Sequence, residues 1–140
     1  MILPLPLLLL LLSPFLFCHV AAGPAEEANR LMILLKTAIE LNNINSLSGF
    51  VTKDFIYDTC NGILNYDKFL GNLRDVAEPP VAISTNWSTR DAQINGNVLQ
   101  FTLHHNDQHP VAYADIQFEG RHFGNNVFML TKGKSMACRS

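Results

Sequence analysis

The chain has 140 residues, with ten Lys/Arg against twelve Asp/Glu and a net charge of −2. Its cations form no basic block, which excludes an electrostatic footprint for nucleic acid and a polybasic patch for anionic lipid. That length suits one domain with a single core.

The first expected element is a secretory leader over residues 1–22. Leu7 to Leu12 is an unbroken leucine run, extended by Phe15, Leu16 and Phe17, and it closes on Val20-Ala21-Ala22. Val20 and Ala22 stand at the −3 and −1 positions that signal peptidase reads. The run is too short, and too broken by Pro4, Pro6 and Pro14, for a membrane span of about 20 residues. One departure from the usual pattern is an n-region without Lys or Arg. The expectation is a cleaved signal peptide followed by one secreted, extracellular domain over 23–140, with no membrane attachment after cleavage.

Helices come first in the mature chain. Across Ala25 to Asn43, Ala28, Leu31, Met32, Leu34, Leu35, Ala38, Ile39 and Leu41 fall on one side at 100° per residue, with Ile33 as the misfit. Asn43 to Val51 predicts a short second helix capped by Asn45 or Ser46, with Ile44, Leu47 and Phe50 or Val51 at helical spacing. Asp54 to Asp58 predicts a brief strand reaching Cys60, and Asn61-Gly62 turns the chain. A third helix starts from the cap Asn65, repeats Tyr66, Phe69, Leu70, Leu73, Val76 and Ala77 along one face, and stops at Glu78-Pro79-Pro80.

From Val81 the texture changes to strands. Val81 to Ile94 and Asn97 to His105 flank Asn95-Gly96, a hairpin signal in which both residues tolerate positive φ. Val111 to Glu119, Asn126 to Thr131 and Lys134 to Cys138 follow, separated by breaks at 107–110, 120–125 and Lys132-Gly133. Helices followed by a strand meander predict an α+β domain, with one antiparallel sheet covered by helices on one face. Side-chain alternation lines that inner face with Trp87, Leu99, Phe101, Leu103 and Ile116 or Phe118.

Loss of Cys18 with the leader leaves Cys60 and Cys138. In an oxidising compartment such a pair is most simply one disulfide, and two buried free thiols are the alternative. A loop of that length carries about 4–5 kcal/mol in the chain-entropy treatment. Asn86-Trp87-Ser88 is the one N-glycosylation sequon, so Asn86 is expected on the surface, with Trp87 pointing inward.

The stretch Phe50-Val51-Thr52-Lys53-Asp54-Phe55-Ile56-Tyr57-Asp58-Thr59-Cys60-Asn61-Gly62 and the closing Leu130-Thr131-Lys132-Gly133-Lys134 with Cys138 resemble the nuclear transport factor 2-like, cystatin-like α+β superfamily. The likeness is greatest to small secreted members that are numerous in nematodes. It implies a cone: a curved antiparallel sheet wrapped around N-terminal helices, able to leave a pocket at its open end. It implies little about activity, because the fold serves transport factors, isomerases, dehydratases and binding modules.

Candidate chemistry is sparse. His104 and His105 are adjacent in a strand and point to opposite faces, and no metal-ligand spacing accompanies them or His109 and His122. No metal or other cofactor is therefore expected. General acid–base work needs a carboxylate or imidazole in an apolar cavity. His105, in phase with the apolar face of its strand, and the Tyr57–Asp58 pair are the candidates, and none is assigned as catalytic. The cystatin inhibitor signature Gln-x-Val-x-Gly is absent; Gln93-Ile94-Asn95-Gly96 falls one residue short. The expected function is a non-enzymatic binding or interaction module. Its occupant would be a small apolar ligand or a protein partner, with Tyr57, Asp58, Trp87, Phe101 and His105 as candidate pocket residues and a homodimer as a further option. The alternative is a small isomerase or hydro-lyase acting on an apolar substrate through His105 or Asp58.

Overall fold

The computed structural model describes residues 23–77, 87–105, 115–124 and 127–136, with backbone alone at 73–77 and 105. Residues 1–22, expected from the sequence to be a leader, together with Asn86, Cys138 and the side chains of Leu73 and His105, lie outside the described parts.

Helix α1 spans Pro24–Glu40, with Pro24 in its first turn and Glu26 and Glu27 beside the positive end of its dipole. It ends three residues earlier than the periodicity suggests. Asn42 takes the left-handed conformation at φ 50°. The Asn42 and Asn43 amides then donate back to the carbonyls of Ile39 (3.1 Å) and Ala38 (2.8 Å). This is a Schellman stop with Asn in the place glycine usually holds. The chain leaves the helix there, so Leu41, expected on the apolar side, is 72% exposed, and Leu34 stays at the margin. Ala28, Leu31, Leu35, Ala38 and Ile39 form the buried stripe.

The second helix is a 3₁₀ segment over Ile44–Gly49, with Ile44 and Leu47 buried at its three-residue period. Asn43 occupies the cap position, ahead of the expected Asn45 or Ser46. Strand β1 runs Val51–Thr59, almost twice the expected length. A two-residue turn at Cys60-Asn61 returns it as β2, Gly62–Asn65, a strand that local pattern missed. Helix α2, Tyr66–Ala77, starts as expected: the Asn65 carboxamide oxygen accepts from the Lys68 amide at 3.0 Å. Phe69 and Leu70 are buried, with Phe69 stacked 4.8 Å from Phe55.

Four strands complete the sheet: β3 (Trp87–Asn95), β4 (Val98–His105), β5 (Ile116–Phe123) and β6 (Val127–Ser135). The order is β2-β1-β6-β5-β4-β3, antiparallel throughout except that β1 and β6 run parallel. The β3–β4 hairpin is present, but its loop is Gly96-Asn97, and of the two only Gly96 has positive φ (63°). That pattern belongs to a type II′ turn, so Asn95 is a ladder residue and not a turn residue.

Two expected strand breaks are not breaks. Lys132-Gly133 sits inside β6, and Gly120 inside β5. Both glycines serve close approach. A Cβ on Gly133 would lie 2.7 Å from the Tyr57 ring, and one on Gly120 would lie 3.0 Å from the Met129 carbonyl oxygen. Register shifts between Arg90 and Gln93 in β3, and opposite Glu119–Gly120 in β6, mark bulges that bend the sheet. At the first, Asp91 takes φ 55°. Burial parity reverses across each bulge: Phe128 and Leu130 face inward before Thr131, and Gly133 after it. The inner face packs on α1 and α2, and Leu99, Phe101, Leu103, Phe118 and Leu130 meet Ala28, Leu31, Leu35, Phe55 and Phe69 in one core.

Candidate functional site

The curved inner face collects three of the five candidate pocket residues. Phe101 is fully enclosed, its ring 5.6 Å from that of Phe118. Trp87, at the start of β3, is half-buried against the core, as alternation predicts. Position 105 is its ladder partner on β4, which puts the His105 backbone beside it. Tyr57 is also half-buried. Its ring lies over Gly133 and packs 5.4 Å from Phe69. Burial raises the Tyr57 pKa above the ordinary phenol value of 10.0, so its hydroxyl stays protonated at neutral pH and can donate.

Asp58 does not join them. Successive strand residues face opposite ways, so Asp58 is exposed on the outer face while Tyr57 turns inward. The Tyr57–Asp58 pair expected from sequence is therefore split by the sheet itself. A buried carboxylate is absent from the described part of the inner face, whose polar groups include the tips of Tyr57, Thr89, Trp87 and Ser135 and, at the far end of β5, the half-buried imidazole of His122, edge-on to Phe128 at 5.1 Å. Thr89 is already engaged, donating to the Asn29 carboxamide of α1 at 2.6 Å.

Asp58 instead lines a shallow outer recess of about 240 Å³ with Ile56, Ile63, Gln100, Glu119, Lys132 and Lys134. Ile63 is 65% exposed there. A second recess, about 360 Å³, lies between the end of α1 and the 3₁₀ helix, against Leu34, Leu41 and Phe50. Among the described residues there is no cluster of three or more potential metal ligands. No described helix is long and apolar enough to cross a membrane.

One polar cluster escaped sequence reasoning. His104, on the outer face, holds the Asp115 carboxylate with Nδ1 2.8 Å from Oδ1. The alternation of β4 pointed His104 away from the core, but its partner emerges only from the β4–β5 register. Cys60, following β1, is disulfide-bonded; the other half lies outside the described residues.

Solved structures place this architecture in a class: the fold is nuclear transport factor 2-like, also called cystatin-like. The chain is similar to an NTF2-like protein of unknown function from Silicibacter pomeroyi, at 10% identity and TM-score 0.58, covering 78% of this chain and 91% of the other. It is also similar to a candidate ketosteroid isomerase from Shewanella frigidimarina, at 6% identity and TM-score 0.59, covering 77% and 93%. A candidate dehydratase of the NTF2-like family from Streptomyces avermitilis gives 12% identity and TM-score 0.58, covering 79% and 92%. No family model and no curated protein matches the sequence. At such identities the likeness concerns the fold alone.

Proposed function

We propose that this protein is a secreted, nematode-type NTF2-like binding module that holds a small apolar ligand at the aromatic inner face of its sheet. The observation that carries this reading is the inner face itself. Phe101 and Phe118 are enclosed, Trp87 and Tyr57 are half-buried, and the carboxylate that acid–base chemistry would use, Asp58, is on the opposite side. An apolar surface with a few polar tips binds and orients a ligand, and its imidazole, His122, packs edge-on against Phe128 at 5.1 Å. The leader, a glycan at Asn86 and a Cys60–Cys138 disulfide belong to the same reading. Exposed Ile56 and Ile63 on the outer face support a homodimer as its protein-partner form.

Trp87 is the single tryptophan and reports on the site directly. Titration with fatty acids and apolar steroids should shift its emission and raise the melting temperature. A ligand at 100 times its Kd adds about 2.7 kcal/mol. Absence of any shift across both ligand classes would refute the binding reading. Turnover of a ketosteroid or a β-hydroxy substrate that is lost in His105→Ala would establish the isomerase or hydro-lyase alternative.

A further inference from the structure

We propose that the outer face of the sheet carries a second site, a Ser88–His104–Asp115 row competent for hydrolysis of carboxylic esters. It is independent of the inner-face reading. The three residues sit on adjacent strands at one level. Ser88 of β3 is the direct ladder partner of His104 on β4. His104 in turn bonds Asp115 at the entry to β5, with Nδ1 2.8 Å from Oδ1. Directly opposed residues of an antiparallel pair place their Cβ atoms about 4.5–5.5 Å apart, within reach of a serine hydroxyl for an imidazole. All three are half-buried.

The chemistry follows from the one bond that orients the imidazole. A carboxylate on Nδ1 keeps the proton there, leaving the lone pair of Nε2 as the base. Ser88 Oγ adds to the ester carbonyl carbon as its proton passes to Nε2. The tetrahedral adduct collapses and expels the alcohol oxygen, which takes that proton, leaving an acyl-Ser88 ester. Water then adds to the acyl carbon, giving its proton to Nε2. Collapse restores the Ser88 hydroxyl with that proton and releases the carboxylic acid. Arg90 follows Ser88 by two residues, before the bulge, and so shares its face with a fixed positive charge for the oxyanion. Thr102, the ladder partner of Arg90, adds a hydroxyl to that face.

The probe is p-nitrophenyl acetate, with a fluorophosphonate as covalent label. The expected result is a burst of p-nitrophenolate up to one equivalent and label on Ser88 by peptide mass mapping. His104→Ala and Asp115→Asn should each slow the burst by at least about a hundredfold, the low end for a positioned acid–base group. Because Ser88→Ala also removes the sequon, Asn86→Gln serves as its control and should keep both burst and label. Asp115→Asn is nearly isosteric, so it tests the chemistry if His104→Ala unfolds the edge. Label on another residue, or a burst unchanged in folded Asp115→Asn and Ser88→Ala, overturns the proposal. Inner-face ligand binding by Trp87 emission should be unaffected in Asp115→Asn, which separates failure of this site from failure of the other.

Discussion

The two faces of the sheet are built from alternate residues of the same strands, yet they obey different physics. In β4, Leu99, Phe101 and Leu103 are buried, while Gln100, Thr102 and His104 between them reach partly into solvent. The inner set is held by area removed from water and by close packing, so each position tolerates little change. The outer set forms a polar lattice, with Gln93 bonding Gln100 (3.2 Å) and Thr131 bonding the Glu119 carbonyl (3.2 Å). There, pairwise contacts contribute little to stability and leave side chains free for recognition or chemistry. Apolar burial and polar pairing are thus divided across the thickness of one sheet, and a bulge moves a residue from one face to the other.

The largest expected effect is on the inner face. Phe118→Ala should cost about 3–5 kcal/mol in denaturant melts, because Phe118 is fully enclosed against Phe101. A loss below about 0.5 kcal/mol, the scale of a surface change, would mean the faces are wrongly assigned.

Next comes the seam where β1 meets β6. Gly133→Ala should cost about 1–3 kcal/mol, since the new methyl collides with the Tyr57 ring. Adding Tyr57→Ala should recover part of that loss, making the pair non-additive. Strict additivity in the double-mutant cycle would show that Tyr57 does not lie over Gly133.

A smaller effect is expected at Asn65, the cap of α2. Asn65→Ala should cost about 1 kcal/mol and Asn65→Asp should be near neutral, as read by thermal melts.

Tyr57 sharpens the contrast through pH. Its folded pKa is raised by burial, so the unfolded chain ionises first. The contribution is fully present below the unfolded phenol value of about 10 and is lost as pH rises through the folded value. Stability should therefore fall above about pH 10, and Tyr57→Phe should flatten that fall. The smallest effect belongs to the outer face: Gln117→Ala should change stability by less than about 0.5 kcal/mol.

Much of this was legible locally. The buried stripe of α1, the cap of α2, the β3–β4 hairpin and the inner positions Leu99, Phe101 and Leu103 follow from period and from turn and cap chemistry, which act over a few residues. Alternation also puts Trp87 and Phe101 on the inner face, and Tyr57 is a pocket candidate that the structure turns inward. Asp58 does not turn inward with it, because pairing the two ignores the period of two. The exact end of α1 depended on one Asn entering the left-handed region, which periodicity does not register.

Sequence by itself determined the class of fold and which residues seek burial, because helical and strand periods and turn preferences are local properties of the chain. Tertiary structure alone decided the rest. Glycine at 133 reads as a turn until β1 lies alongside β6 and the Tyr57 ring closes over it. His104 reads as a lone polar residue until the β4–β5 register brings Asp115 to 2.8 Å. Parallel pairing of β1 with β6 joins segments more than 70 residues apart, and bulges at β3 and β6 set which side chains meet. Such contacts depend on the relative position of strands distant in sequence, and a shift of one residue in register reverses every face.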